Sequence, residues 1–167
     1  RFIAVEGDWP PSMKLNRYIS GEDSGSVRTA LRNFHRWPTW MWANGEVARL
    51  AEWMREHNES VPEGKKVGFY GLDVYSLWES MHAVVGYLES IDPALARTAR
   101  AAYRCFEPYA EDVQEYARAT ALVPTTCERE AVAVLAAVRN KAEEFRQDGR
   151  DAFFNAEQNA LVARNAE

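Results

Sequence analysis

At 167 residues, 47% hydrophobic and 12% aromatic with six tryptophans, the chain has the length of one globular domain and enough apolar side chains to bury a core, which excludes a disordered segment. Its formal net charge is −5, and Lys and Arg are scattered among Asp and Glu instead of forming one patch, so nucleic acid is not an expected partner. No apolar run approaches the roughly 20 residues of a membrane span, and Arg1-Phe2-Ile3-Ala4-Val5-Glu6 lacks the basic-then-apolar order of a signal peptide, so no membrane partner is expected and the chain reads as cytoplasmic.

Phe2-Ile3-Ala4-Val5 is a short apolar run that predicts a buried strand over about residues 2–6, ending on Glu6, with the Pro10-Pro11 pair as a hard stop. Two short helices follow, Met13 to Ile19 and Val27 to Phe34, split by the Gly/Asp/Ser-rich stretch Gly21 to Ser26. Pro38 disfavours a helical conformation at Trp37 and precedes a helix from Trp40 to His57, with Thr39 as its expected N-cap and Val47, Leu50, Ala51 and Met54 at helical spacing. After the polar loop Glu59 to Lys65, Lys66 to Leu72 predicts a second strand, followed by Asp73. Beyond it the patterns are helical: Ser76 to Glu89, Pro93 to Phe106, Glu111 to Thr120, Thr125 to Gln147 and Arg150 to Glu167.

Strands joined through helices predict an α/β, predominantly helical fold, with short parallel strands (about 2–6 and 66–72), a right-handed helical crossover and a helical C-terminal half. The expected organisation is one unit over residues 1–167, in which 1–75 carries the pocket and 76–167 is helical. A two-stranded parallel sheet is too small to bury both its faces, and the apolar run begins at once after Arg1, so we expect an incomplete piece of a larger fold. Uncovered sheet surface then favours association with the remainder of that larger fold or with a second copy.

In parallel sheets ligands gather at the carboxyl ends of the strands, which is where Glu6 and Asp73 fall. If the strands are neighbours, Glu6, Asp8 and Asp73 converge into an acidic pocket, and their mutual repulsion raises at least one carboxyl pKa. The competing structural roles are a helix cap or an ion pair with an arginine such as Arg36 for Glu6, and a helix N-cap or turn role for Asp73. Trp9, Trp37, Trp40 and Trp42 form a dense aromatic group that suits a pocket for a bulky, largely apolar ligand, although tryptophans taken alone are more often core. Cys105 and Cys127 form no CxxC pair and match no His cluster, so they read as reduced packing cysteines, with no zinc site and no redox motif. His35, His57 and His82 share no local motif; for His57 and His82 the reading is surface or packing. The absence of a GxSxG elbow, a Walker loop and a dinucleotide fingerprint weakens a serine hydrolase, a nucleotide hydrolase or a dehydrogenase.

The segments FIAVEGDWP (2–10), RWPTWMWAN (36–44), GFYGLDVYSL (68–77) and QNALVARNAE (158–167) resemble, in order and spacing, the erythromycin esterase family, which includes succinoglycan biosynthesis-type hydrolases. The resemblance spans the whole chain. It implies a carboxylic ester hydrolase that needs no metal or cofactor, with a histidine as general base toward water and glutamates assisting. Its small-molecule substrates would be esters or lactones, the macrolide antibiotics among them, which would make antibiotic resistance one role. The resemblance implies a catalytic role for Glu6 and places Asp8, Trp9, Arg36, Trp37, Asp73 and Tyr75 in or beside the substrate pocket. The family's GExxH-type motif and its stretch resembling SWNxRDxHM, which carry its active-site histidines, both fall outside this sequence, so this chain alone is expected to be inactive. The alternative is a noncatalytic helical binding or interaction module.

Overall fold

Strand β1 (Phe2–Asp8) pairs in parallel with β2 (Gly68–Asp73) in the computed structural model, which describes residues 1–36, 38–109, 118–119, 126–145 and 149–166. The chain divides into two compact units, Arg1–Asp73 and Val74–Glu167. The architecture is α/β and predominantly helical, as the sequence predicts.

In the first unit β1 is followed by α1 (Trp9–Ser20), α2 (Val27–Leu31), a 3₁₀ turn (Thr39–Met41), α3 (Gly45–Ser60) and a second 3₁₀ turn (Glu63–Lys65) before β2. Alternation along the strands turns Val5, Phe69 and Gly71 inward, where Leu15 and Ile19 of α1 and Met54 of α3 are fully buried. Each such aliphatic or aromatic side chain contributes about 1.5–3 kcal/mol by leaving water. The opposite face leaves Phe2, Ala4, Glu6 and Leu72 exposed.

The sequence and the structure differ at two helix starts. β1 ends at Asp8, before the Pro10-Pro11 pair as expected, but the two prolines then lie in the first turn of α1, which starts at Trp9 and not at Met13; a missing N–H costs nothing there because no intrahelical partner exists for it. Thr39 does not cap α3; it opens a 3₁₀ turn, and the cap is Asn44, whose side-chain oxygen accepts from the Val47 N–H at 2.8 Å.

Buried Asn58 ties the layers together. Its Nδ2 donates to the Ile19 carbonyl (3.2 Å) and the Val67 carbonyl (2.9 Å), while its Oδ1 accepts from the Val67 N–H (2.8 Å). An alanine here leaves these buried backbone groups without partners, so Asn58→Ala is expected to lower unfolding stability by about 2 kcal/mol. Urea denaturation checks this; a loss of less than about 0.5 kcal/mol would mean that the three bonds are replaced by water.

The second unit is helical: α4 (Leu77–Ile91), α5 (Pro93–Tyr103), a 3₁₀ stretch (Arg104–Tyr109), α6 (Glu128–Asn140), α7 (Ala142–Phe145) and α8 (Arg150–Asn165). α4 packs on α5 and α8, and α6 also packs on both, around buried Leu77, Val84, Leu88, Phe106 and Val138. Asp92 ends α4 and caps α5, accepting from the Ala94 and Leu95 N–H groups, and it pairs with Lys141. The expected helix from Glu111 to Thr120 falls almost wholly outside the described residues. The one expected from Thr125 to Gln147 is, over its described part, two helices broken at Lys141.

Cys105 and Cys127 are not reduced packing residues: they form a disulfide across a sequence separation of 22, with Cα atoms 5.8 Å apart. No local spacing signals this pair, because the packing of the helical unit brings the 3₁₀ stretch beside the start of α6. Among the described residues no helix is long and apolar enough to cross a membrane.

Candidate functional site

The pairing of β1 with β2 sets the site. Val5 lies opposite Gly71, yet the next paired residues are Asp8 and Asp73, so three steps along β1 match two along β2. The extra residue is a bulge at Glu6-Gly7, and it puts Asp8 directly across from Asp73 at the carboxyl ends of the strands. The bulge is pinned by Trp42, whose Nε1 donates to the Glu6 carbonyl at 2.7 Å. It is closed against Gly71, where a Cβ would stand 2.2 Å from the Gly7 carbonyl oxygen and 2.5 Å from that of Asp8. Only glycine allows this close approach.

Opposed carboxylates repel, and Arg36 resolves the repulsion. Its Nε donates to Asp8 Oδ2 at 2.7 Å and its Nη2 to Asp73 Oδ2 at 3.1 Å, so a single guanidinium bridges both strand ends. The Asp8 and Asp73 side chains are 11% and 15% exposed, against 45% for Arg36, so the acids lie deep and the cation lies toward the surface. Burial, helped by the negative charge of Asp8, raises the Asp73 pKa above its ordinary value; Arg36 pulls the other way, and Glu6 adds to the rise. For Arg36, desolvation is the largest influence and would lower its pKa, but the bonds and charges of Asp8 and Asp73 together outweigh it and hold the guanidinium above its ordinary value. Asp8 Oδ1 is closed to water and has no hydrogen-bond partner among the described residues.

The anticipated site residues separate into groups. Asp8, Arg36 and Asp73 come together in one bonded cluster. Glu6 is near enough for its charge to bear on Asp73, yet it is exposed and makes no ion pair among the described residues; Arg36 bonds Asp8 and Asp73 instead. Trp9 is buried and stacks on Tyr70, with centroids 5.5 Å apart. Tyr75 is exposed and belongs to the second unit. Trp37 lies outside the described residues.

Of the other tryptophans among the described residues, Trp42 meets Phe69 edge-on at 6.2 Å, while Trp40 is exposed. His57 stacks on Trp53, and His35 is exposed with Nδ1 at 2.9 Å from the Asn33 carbonyl. Sequence reasoning missed Trp42 as the clamp on Glu6 and missed Gly71. A glycine inside a predicted strand is itself a signal of close backbone approach. Among the described residues no group of three or more His, Cys, Asp or Glu side chains is placed to hold a metal ion.

The arrangement is a mostly helical α/β frame that presents carboxylates at the ends of parallel strands, steadied by one arginine. The chain belongs to the erythromycin esterase family, whose model matches residues 1–167. Among solved structures it is similar to a succinoglycan biosynthesis protein, with 23% identity and a TM-score of 0.62 over 99% of this chain and 38% of that one. It is also similar to a protein from Bacillus cereus, with 18% identity and a TM-score of 0.66 over 98% of this chain and 38% of that one. The chain therefore spans well under half the length of either, and at these identities the likeness concerns the fold.

Proposed function

We propose that this chain supplies the acidic strand-end portion of a hydrolase that cleaves ester or lactone bonds with an activated water, and that Glu6 is the carboxylate that orients the water or carries its proton. Family membership supports a hydrolase. The observation that carries the residue assignment is the contrast among the acids: Asp8 and Asp73 are tied to one guanidinium, whereas Glu6, at the bulge beside them, is exposed and free of ion pairs among the described residues.

In this reading a histidine outside the chain is the general base, as the family resemblance implies. A base needs a positioned water, and a carboxylate within hydrogen-bond reach supplies both orientation and a proton acceptor. Asp8 and Asp73 act by holding Arg36, whose half-exposed guanidinium offers a fixed positive charge to the oxyanion that forms when water adds to the carbonyl. The bridge keeps that charge in place before substrate arrives, so no reorganisation is needed in the transition state.

Glu6→Gln keeps the size of the side chain and removes its charge. In the full-length enzyme, turnover of a macrolide lactone and of a simple aryl ester is expected to fall roughly 10²-fold or more, with circular dichroism unchanged. Normal turnover in a folded variant would remove Glu6 from the mechanism.

A further inference from the structure

We propose that Trp42 is a positioning residue for hydrolysis: its indole N–H fixes the backbone of Glu6 at the bulge and thereby sets where the Glu6 carboxylate stands. The inference rests on the reading of Glu6 as the carboxylate that handles water, and adds to it a residue that acts through Glu6 without touching substrate.

Glu6 needs a hold from outside the strand pair. The register matches Val5 with Gly71 and Asp8 with Asp73 but gives Glu6 and Gly7 no partner on β2. A bulge interrupts the ladder, so its backbone is less constrained than that of the paired residues on either side. The Glu6 carboxylate sits at the end of a flexible side chain that starts from this backbone. A group that orients water or takes its proton has to stand about 3 Å from its target, and a misplacement of about 1 Å costs on the order of 10²-fold in rate.

Trp42 supplies the hold. Its Nε1 donates to the Glu6 carbonyl at 2.7 Å, the short end of the normal range for such a bond. The indole comes this near because residue 7 is glycine: a Cβ there would stand 3.2 Å from Trp42 Nε1 and 3.4 Å from its Cδ1. The ring also meets Phe69 of β2 edge-on and packs against the core of the first unit. One side chain therefore contacts both strands at the bulge.

The donor is itself mounted on a fixed base. Trp42 lies between the 3₁₀ turn Thr39–Met41 and Asn44, the N-cap of α3. Asn44 Nδ2 donates to the carbonyls of Trp40 (2.9 Å) and Met41 (3.1 Å), while its Oδ1 accepts from the Val47 N–H. The Ala43 N–H donates to the Thr39 carbonyl at 2.9 Å. These bonds tie the backbone on both sides of Trp42 to the start of α3, a 16-residue helix, and so aim the indole N–H at Glu6 before substrate arrives.

The test uses the full-length enzyme and steady-state turnover of a simple aryl ester. Trp42 is replaced site-specifically by benzothienylalanine, which keeps the bicyclic ring and puts sulfur where the N–H stood. With Glu6 present, kcat is expected to fall about 10-fold and KM to change by less than about 3-fold. In the Glu6→Gln background the same replacement is expected to lower kcat by less than about 2-fold more, because the carboxylate it positions is already gone. Trp42→Phe should repeat this pattern, and where it fails to fold the sulfur analogue decides. An unchanged kcat with the analogue, or an equal loss in both backgrounds, would overturn the proposal, since the N–H then does not act through Glu6. Normal turnover in Glu6→Gln alone removes the reading of Glu6 and this inference with it; impaired turnover in Glu6→Gln with a further, equal loss from Trp42 removes this inference only.

Discussion

Gly71→Ala is expected to cost about 4 kcal/mol of unfolding stability, or to prevent accumulation of folded protein altogether. The added methyl would stand 2.2 Å from the Gly7 carbonyl oxygen, 2.5 Å from the Asp8 carbonyl oxygen and 2.7 Å from the Asp8 carbonyl carbon. These are backbone atoms, so no side-chain rotation relieves the clash; β1 and β2 must part at the bulge. Parting them costs ladder hydrogen bonds and also undoes the pairing of Asp8 with Asp73 that gives Arg36 its two acceptors. Gly64→Ala is the control, because a Cβ there meets nothing within 4 Å and the backbone is not left-handed. It should be neutral or slightly stabilising through the unfolded state. Urea midpoints for the two variants separate a steric cause from a general cost of losing glycine, and similar losses in both would sink the steric account.

The parts of this architecture that were legible in the sequence are those written in local patterns. The apolar runs at residues 2–5 and 67–72 announce strands because each is short and closed by turn residues, and helices between them announce a parallel pair. The acids after each run mark the strand ends. What stayed hidden depends on contacts between distant residues. Arg36 reaches Asp8 across a separation of 28 and Asp73 across 37, and no window of sequence contains both bonds. The bulge is equally silent, because an extra residue in β1 acquires meaning only once its register with β2 is set. Pro10-Pro11 marks the end of the strand but hides the start of the next helix: proline fits a first helical turn well, so α1 begins at Trp9, ahead of the apolar spacing that announces it from Met13.

Arg36→Met tests the cluster electrostatically. Methionine keeps an unbranched chain but leaves Asp8 and Asp73 facing each other in a nearly dry site without a counter-charge. Removing one partner of a buried ion pair costs about 3–5 kcal/mol, and because the guanidinium is nearly half exposed the lower end applies, about 3 kcal/mol at pH 7. The loss is expected to shrink as pH falls. In the native protein the Asp73 pKa is already raised above its ordinary 3.8 by burial and by Asp8, so the folded state binds this proton more tightly than the unfolded chain. The resulting stability is fully present below the unfolded value and is lost as pH rises through the folded value. Taking away Arg36 removes an influence that lowers the Asp73 pKa, so the folded value climbs further and protonation relieves the repulsion at a higher pH than before. Urea denaturation of both proteins at pH 7 and pH 5 should show the gap narrowing on acidification. Asp73→Asn in the Arg36→Met background should recover part of the loss at pH 7, since one of the two like charges is gone. A gap that is the same at both pH values, with no recovery in the double variant, would mean that Arg36 acts by packing alone and that Asp8 and Asp73 do not sense each other.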